Sequence, residues 1–368
     1  WTGLPPGLCT VAGQSKMPHV NTIALDAMGG DEAPGMVIAG ANVAHKRHPD
    51  THFLIFGDDA LCGPLLRRFS RVASVTDVVH TEEVVAADAK PSVAVRRGQK
   101  SSMWLAIKSV ADGRANAVVS AGNTGALMAM SKLVLKTLPG ISRPAIASSF
   151  PTQSGDSVML DLGANVECDA NNLVQFAVMG EVYARNELGL KQPSIGILNV
   201  GVEGLKGNDS VKEAANILKN SNLPIEFFGF VEGDDIGKGT VDVIVTDGFT
   251  GNIALKTAEG TAKMIAFFLK DALTSSILAK IGALLARPAI ERFRAYFDPR
   301  RYNGAMLLGL TGICVKSHGG TDEVGFAHAI EVGINLVRRN FNELIKQDLG
   351  RIMAEEEGTD TGSEKNKK

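Results

Sequence analysis

The sequence alternates short apolar runs, rich in β-branched residues, with longer stretches of helical periodicity, and few folds accommodate this alternation. The apolar runs are NTIALDA, HFLIFG, SVTDVVH, NAVVSAG, AIASSF, SVMLDLG, SIGILNV, IEFFGF, VDVIVTDG and MLLGLTGICVKSHG. The helical patterns cover Pro91–Ala111, Thr124–Thr137, Asn171–Leu188, Asn208–Asn220 and Gly320–Met353. Such a pattern is typical of an α/β protein with a mostly parallel sheet flanked by helices, which is the fold class that we predict.

Composition narrows the class of protein. The 368 residues, 45% of them hydrophobic, can bury one large core or two medium ones. The 38 basic and 40 acidic residues nearly balance, so the charge does not favour nucleic acid as a partner. The four cysteines form no C-x-x-C pair, which argues against a disulfide framework or a zinc site. With no apolar run of membrane-spanning length, we expect a cytoplasmic protein.

The two ends differ from the rest of the chain. Residues 1–16 show no periodicity and precede Met17, so we interpret them as an N-terminal extension or an expression remnant. Residues 354–368 are polar and we expect a disordered tail there. Residues 17–353 then form a single α/β catalytic unit with one or two lobes.

A basic and apolar segment, TSSILAKIGALLARPAIERFRAY, predicts a helical hairpin that projects from the sheet at about residues 265–300. Pro288 should split the segment into two helices. Its basic residues, Lys280, Arg287, Arg292 and Arg294, would suit anionic lipid or an acidic protein. The alternative is a helix in the core or at a dimer interface.

Polar residues and glycines follow six of the predicted strands. They are Asp26, Gly29 and Gly30; Ser120, Gly122, Asn123, Thr124 and Gly125; Asp161 and Asn165; Asn199, Lys206 and Asn208; Asp247 and Asn252; and Lys316 and His318. Ligands bind beyond the carboxyl ends of strands in open parallel sheets, so we expect one cleft to gather these corners. Each Asp or Asn alone could equally be a helix cap.

The corner from Gly122 to Gly125 predicts an anion site, because it precedes a helix whose first amides lack partners. An ordinary turn between strand and helix is the alternative. Lys206 and Lys316 can supply a point charge to phosphate, and His318 is the histidine that lies in such a corner.

Several common sites are missing from the sequence. The P-loop pattern, a G-x-G-x-x-G after a strand and the G-x-S-x-G nucleophile turn do not occur. Histidines and carboxylates do not cluster at metal-binding spacing in these corners. We therefore expect no metal and no cofactor.

The corner segments DAMGGD, SAGNTGA, LDLGAN, NVGVEGLKGND, VTDGFTGN and VKSHGG together resemble those of the bacterial phosphate:acyl-[acyl carrier protein] acyltransferases of phospholipid synthesis. The resemblance runs from about Thr22 to Met353. It implies a fold similar to isocitrate and isopropylmalate dehydrogenases and to phosphotransacetylases. It also implies a homodimer with peripheral membrane contact.

The implied reaction is attack of inorganic phosphate on the thioester of a fatty acyl-[acyl carrier protein]. The product, acyl phosphate, would feed a membrane acyltransferase that acylates glycerol 3-phosphate. The amides of Gly122–Gly125 with one lysine can hold phosphate, and Lys206 or Lys316 can stabilise the oxyanion. His318 could protonate the leaving sulfur, while Asp247 and Asn252 orient groups. The remaining corner residues are predicted to bind substrate or phosphate.

Three alternatives stay open. The first is a phosphotransacetylase-like enzyme that uses coenzyme A thioesters. The second is a hydroxy-acid dehydrogenase on the same scaffold, which would need an acidic metal triad and a dinucleotide loop. The third is a non-catalytic membrane or scaffold protein, which would leave the six polar corners unexplained.

Overall fold

The computed structural model describes residues 21–223 and 225–347. The predicted extension at 1–16, the predicted tail at 354–368 and the end of the predicted helix beyond residue 347 lie outside the described residues. The limits of the catalytic unit at 17 and 353 therefore remain predictions.

One eleven-stranded sheet organises the described chain. Its strands are β1 (Asn21–Asp26), β2 (Thr51–Gly57), β3 (Thr76–His80), β4 (Ala117–Ser120), β5 (Ala145–Thr152), β6 (Gly155–Leu160), β7 (Ser194–Leu198), β8 (Glu226–Val231), β9 (Val243–Val245), β10 (Ala305–Leu308) and β11 (Ile313–Lys316). They lie in the order β3-β2-β1-β4-β11-β10-β5-β6-β9-β7-β8. The predicted α/β class with a mostly parallel sheet is confirmed.

The helices are α1 (Gly35–Arg47), α2 (Asp59–Leu66), α3 (Ser70–Ala73), α4 (Pro91–Arg97), α5 (Ser102–Ala111), α6 (Thr124–Leu135), α7 (Ala170–Glu187), α8 (Asp209–Asn220), α9 (Gly233–Lys238), α10 (Gly248–Thr274), α11 (Ile277–Leu285), α12 (Arg287–Tyr296) and α13 (Glu323–Arg338). A short 3-10 helix, Pro299–Tyr302, follows α12. The predicted hairpin region thus contains the end of α10, then α11 and α12, with Pro288 in the first turn of α12.

Strand direction divides the sheet into two blocks. The first block, β3-β2-β1-β4-β11, is parallel throughout, as is the second block, β6-β9-β7-β8. Between them, β11 pairs with β10, β10 with β5 and β5 with β6, all antiparallel. Because three successive reversals leave the direction inverted, the two blocks run in opposite directions.

Helices cover both faces of the sheet, since successive strand side chains point to opposite sides. In β1, Ile23 and Leu25 pack into one core with residues of α1, α7 and α13, including Phe176 of α7. Ala24 points to the other core, which holds Ile107 of α5 and Leu127 of α6. Both faces of the central strands are therefore apolar, as a parallel sheet requires.

Three sequence predictions of single elements differ from the structure. The run MLLGLTGICVKSHG forms two antiparallel strands, β10 and β11, because Gly309 adopts a φ of +87° and reverses the chain. The predicted helix Pro91–Ala111 is two helices, since α4 ends at Arg97 and Ser101 caps the start of α5. The helix predicted over Gly320–Met353 begins at Glu323, where Asp322 accepts from the amides of Val324 and Gly325, and it ends at Arg338.

Candidate functional site

The six polar corners separate into two groups of three. The first corner group follows β1, β4 and β11, which are neighbours with Leu25 paired to Val119 and Ser120 paired to Lys316. The second corner group follows β6, β9 and β7, in which Val245 is paired with both Leu160 and Ile197. Because the two blocks run in opposite directions, the strands of the two groups end in opposite directions. Helix α10 links the groups, since Asn252 lies against Gly163 and the charge of Lys256, one turn later, acts on Lys316 and His318. One cleft for all six corners stays a prediction.

Asp26 is the buried centre of the first corner group. Its Oδ1 accepts a hydrogen bond from Ser102 Oγ and its Oδ2 accepts one from Ser120 Oγ, both at 2.6 Å. A Cβ at Gly29 would lie 2.6 Å from Asp26 Oδ2, so the glycine lets the backbone pass over the carboxylate. Burial raises the pKa of Asp26. Asp26 thus shapes this corner, and its predicted contact with phosphate stays a prediction.

The corner from Gly122 to Gly125 is held by its own polar groups. The Gly122 amide donates to Ser120 Oγ at 3.1 Å, and Asn123 Oδ1 accepts from the Ala126 amide at 2.8 Å. Asn123 Nδ2 donates to Ala87 O at 2.7 Å, which anchors the turn to the preceding loop. The first amides of a helix have no acceptor within it, so those of Thr124 and Gly125 are the donors that an anion could use here. Gly30, with a φ of +112°, completes the neighbouring turn.

Lys316 and His318 complete the first corner group. Lys316 Nζ donates to Ser317 O and lies 3.5 Å from Ala121 O, and burial lowers the pKa of Lys316 to about 8. His318 Nδ1 accepts from the Gly320 amide at 3.1 Å, which leaves the proton of a neutral ring on Nε2. Burial lowers the pKa of His318 as well, and the charge of Lys256 lowers it further.

Asp161 has the same supporting role in the second corner group. Its Oδ1 accepts from the amides of Ile146 and Ala164, both at 3.0 Å. Its Oδ2 accepts from the amide and the Nδ2 of Asn165, at 2.7 and 2.8 Å. Burial raises the pKa of Asp161. Both carboxylate oxygens are occupied, so Asp161 and Asn165 build the turn, and their predicted contact with phosphate stays a prediction.

Asp247 and Asn252 lie at the start of α10. Asp247 caps the helix, because its Oδ1 accepts from the Thr250 amide at 2.8 Å and its Oδ2 from Thr250 Oγ at 2.9 Å. Asn252 lies on the exposed side of the first turn, beside Gly163. Its side-chain amide has no hydrogen-bond partner among residues 21–223 and 225–347. It can therefore donate to a ligand.

The loop after β7 carries Asn199, Lys206 and Asn208. Asn199 Nδ2 holds the loop from inside by donating to Gly201 O at 3.0 Å and Lys206 O at 3.1 Å. Asn208 Oδ1 caps α8 by accepting from the Val211 amide at 2.9 Å. Lys206 is exposed, and its Nζ lies 2.8 Å from Glu203 Oε1, whose hydrogen bond raises the pKa of the lysine. Lys206 therefore stays cationic and accessible at neutral pH.

Sequence reasoning missed three residues that the structure brings to these groups. Ser102 supports Asp26, and Asn303 supports the last corner by accepting from the His318 amide at 2.8 Å and donating to Ser317 Oγ at 2.9 Å. The third, Lys256, lies one helical turn after Asn252 on α10, and its charge lowers the pKa of both Lys316 and His318. The spacing of four residues from Asn252 was a signal for Lys256. The other two contacts join distant segments and leave no local signal.

The described residues contain no group of three or more His, Cys, Asp or Glu side chains that could hold a metal ion. Burial also raises the pKa of each described cysteine, to about 11 for Cys62 and about 12 for Cys168 and Cys314. A protein thiolate is therefore disfavoured as a nucleophile at neutral pH. The second corner group instead offers an exposed cation and an exposed amide.

Comparison with known proteins identifies the family of this chain. The model of a family described as fatty acid synthesis protein matches residues 21–344. A phosphate acyltransferase from Rhodospirillum rubrum is 60% identical over 336 residues, covering 91% of this chain and 96% of the relative. One from Rhodospirillum centenum is 63% identical over 332 residues, covering 90% of this chain and 94% of the relative.

Solved structures support the fold alone. A phosphotransacetylase from Streptococcus pyogenes superposes with a TM-score of 0.60 at 18% identity, covering 87% of this chain and 94% of that one. The EutD phosphotransacetylase from Staphylococcus aureus gives a TM-score of 0.54 at 17% identity, covering 88% and 94%. The family match, its extent and the high identity to these relatives show that the chain belongs to the fatty acid synthesis protein family and, within it, to the phosphate acyltransferases, which are acyltransferase enzymes.

Proposed function

We propose that this phosphate acyltransferase moves a fatty acyl group, reversibly, from the thioester of acyl carrier protein to inorganic phosphate. The observation that carries the proposal is the second corner group, which exposes Lys206 and Asn252 at neighbouring strand ends. Phosphate is itself an anionic nucleophile, so the enzyme needs no activated serine or cysteine. The raised pKa values of the described cysteines fit that requirement.

In the proposed step, a phosphate oxygen attacks the carbonyl carbon of the thioester. Lys206 Nζ and Asn252 Nδ2 donate hydrogen bonds to the oxyanion of the tetrahedral intermediate. The C–S bond then breaks and the electron pair leaves on sulfur, giving acyl phosphate and the carrier thiolate. An ordinary thiol has a pKa of about 8.5, so the thiolate leaves without a strong acid.

This arrangement changes the role that the sequence suggested for His318. Burial and the charge of Lys256 lower the pKa of His318 and favour its neutral form, which is a poor proton donor at neutral pH. We therefore assign proton transfer to solvent rather than to His318. The first corner group, with the amides of Thr124 and Gly125 and the cation of Lys316, is the second candidate for the phosphate position.

The test is to mix the purified protein with a long-chain acyl-[acyl carrier protein], with and without phosphate. Free thiol and hydroxylamine-trappable acyl product should both appear, and both should require phosphate. Thiol release without phosphate would mean a thioesterase and would overturn the proposal. Reaction with coenzyme A thioesters alone would favour the phosphotransacetylase-like alternative.

We also propose where the partners bind. Helix α10 exposes Phe267 and Phe268, which suit a second copy of the chain, and α11 exposes Ile277, Leu278 and Leu285, which suit a lipid surface. Arg292 and Arg294 of α12 would add attraction to anionic headgroups. None of the helices within residues 21–223 and 225–347 has the length and apolarity that crossing a bilayer requires.

A cytoplasmic homodimer in peripheral contact with the membrane could pass acyl phosphate to a membrane acyltransferase that acylates glycerol 3-phosphate. Light scattering of the wild type and of Phe268→Ser tests the dimer, which the substitution should weaken. Flotation with anionic vesicles tests the lipid contact, which Leu278→Ser should weaken. A monomeric wild type, or one that stays in the unbound fraction, would contradict the respective proposal.

A further inference from the structure

Large apolar side chains surround the second corner group on the outside of the protein. They lie in the turns after β6, β7 and β9, and we call them the apolar rim: Val166, Val200, Val202, Leu205, Phe249 and Ile253. Between 48% and 94% of each residue is exposed. Single exposed apolar residues are ordinary, but a group confined to neighbouring turns marks a binding surface.

The sheet brings the three turns of the apolar rim together. Val245 of β9 is paired with Leu160 of β6 and with Ile197 of β7, so these strands end side by side. The turns after β6 and β9 are in contact, since the Gly248 amide donates to Asn165 O at 2.7 Å and Asn252 lies against Gly163, and the end of β7 is about 4.8 Å from that of β9. The apolar rim is thus one surface rather than three separate patches.

The loop after β7 is folded with its polar side chain inside and its apolar side chains outside. Asn199 Nδ2 donates to Gly201 O and Lys206 O from within the loop. Gly207, with a φ of +95°, lets the chain close around Asn199, because a Cβ there would lie 2.3 Å from Asn199 Oδ1. Val200, Val202 and Leu205 are left facing solvent. Their exposure is therefore a built feature of the loop.

We propose that the apolar rim binds the fatty acyl chain of the thioester substrate, an inference that rests on the proposed function. Leu205 directly precedes Lys206, and Phe249 lies three residues before Asn252 on the same face of α10, so each oxyanion donor has an apolar side chain close by. A thioester has the same order, with a polar carbonyl joined to an aliphatic chain. The surface and the substrate are complementary in polarity at the scale of single residues.

The same surface is poorly suited to a membrane. Glu203 lies between Val202 and Leu205, and its side chain is more than half exposed. A carboxylate in the middle of an apolar surface would repel anionic lipid headgroups. An aliphatic chain carries no charge, so Glu203 does not oppose it and can remain paired with Lys206 in the absence of substrate.

The experiment compares kcat/KM for a long-chain and a short-chain acyl-[acyl carrier protein] in the wild type, Leu205→Ser and Phe249→Ser. A methylene removed from water contributes up to about fourfold to binding, so the long-to-short ratio should fall about tenfold in each variant. The matched control is Leu61→Ser on α2, an exposed leucine beside the first block, which should leave the ratio unchanged. Circular dichroism confirms that each variant is folded.

Binding of a non-reactive thioether analogue of long-chain acyl-[acyl carrier protein] gives a readout that does not depend on turnover. Weaker binding by Leu205→Ser but not by Leu61→Ser supports the inference. An unchanged chain-length ratio in active rim variants overturns it and leaves the proposed function intact. An unchanged chain-length ratio together with a change in the mass measured by light scattering also overturns it, because that result would assign the apolar rim to contact with a second copy of the chain. A wild type that makes no phosphate-dependent product overturns the proposed function and this inference together.

Discussion

Ser120 Oγ donates a hydrogen bond of 2.6 Å to Asp26 Oδ2 and thereby joins the ends of two adjacent parallel strands. The carboxylate receives a second hydroxyl from Ser102 and is closed off by the backbone at Gly29. Two serines and a glycine thus keep an acidic group inside the protein, in a place where burial opposes its charge.

Asp26→Asn should therefore change how stability depends on pH. The folded-state pKa of Asp26 is raised, so the folded protein binds more protons than the unfolded chain above the ordinary pKa of 3.8. This group then makes the wild type less stable as the pH rises. The Asp26→Asn variant does not lose stability in this way, so its free energy of unfolding relative to that of the wild type should increase from acid to neutral pH. Urea unfolding at several pH values measures this, and a constant difference would contradict the assignment.

Lys316→Met should change the stability of the protein in a different pH range, between about 8 and 10.5, because the folded-state pKa of this lysine is lowered to about 8 from 10.5. Between these values the unfolded chain binds more protons, so the wild type gains stability as the pH rises through this range. The variant should be most favoured relative to the wild type near pH 7, and the advantage should shrink towards pH 10. Unfolding by urea at both pH values tests this, and an advantage that grows with pH would refute it.

Lys206→Ala should lower kcat/KM for acyl phosphate formation by about a hundredfold or more, because it removes a donor to the oxyanion. Asn252→Ala should have an effect of the same order, since it removes the second donor. The matched control is Lys219→Ala, an exposed lysine in the last turn of α8, at the end of the helix far from Asn208. Full turnover by both Lys206→Ala and Asn252→Ala, measured as phosphate-dependent thiol release, would remove the second corner group from the reaction.

Helix α10 contains two glycines at which replacement by alanine should change the stability of the protein in opposite directions. A Cβ at Gly251 would lie 1.9 Å from Asp161 O, so Gly251→Ala should destabilise the protein by about 3 kcal/mol or more. Gly260 faces open space, and Gly260→Ala should stabilise the helix by about 1 kcal/mol. Thermal unfolding of both variants tests this, since the midpoint should fall for Gly251→Ala and rise for Gly260→Ala. Equal effects would show that α10 does not approach the Asp161 turn closely.

Local pattern was enough to predict much of the fold. The helices α6, α7 and α8 begin and end within two residues of the predicted bounds, because Asn123, Asp169 and Asn208 are capping residues before apolar periodicity. The reversal between the two blocks was not predictable, since a turn at Gly309 inside an apolar run decides it. The corner residues were found as a set, yet the sequence could not separate Asp26 and Asp161, which support turns, from Lys206, which is exposed. That distinction depends on burial and on hydrogen bonds between distant segments.

The position of β11 has a consequence for how the chain reaches its folded state. Strand β4 lies near residue 120, but its partner β11 is made only when residue 316 leaves the ribosome. Until then the nascent first block presents an unpaired parallel edge, and unpaired edges invite association between chains. The last of the strands described here to be synthesised thus closes the middle of the sheet, so chains truncated before β11 should aggregate rather than fold as a smaller protein.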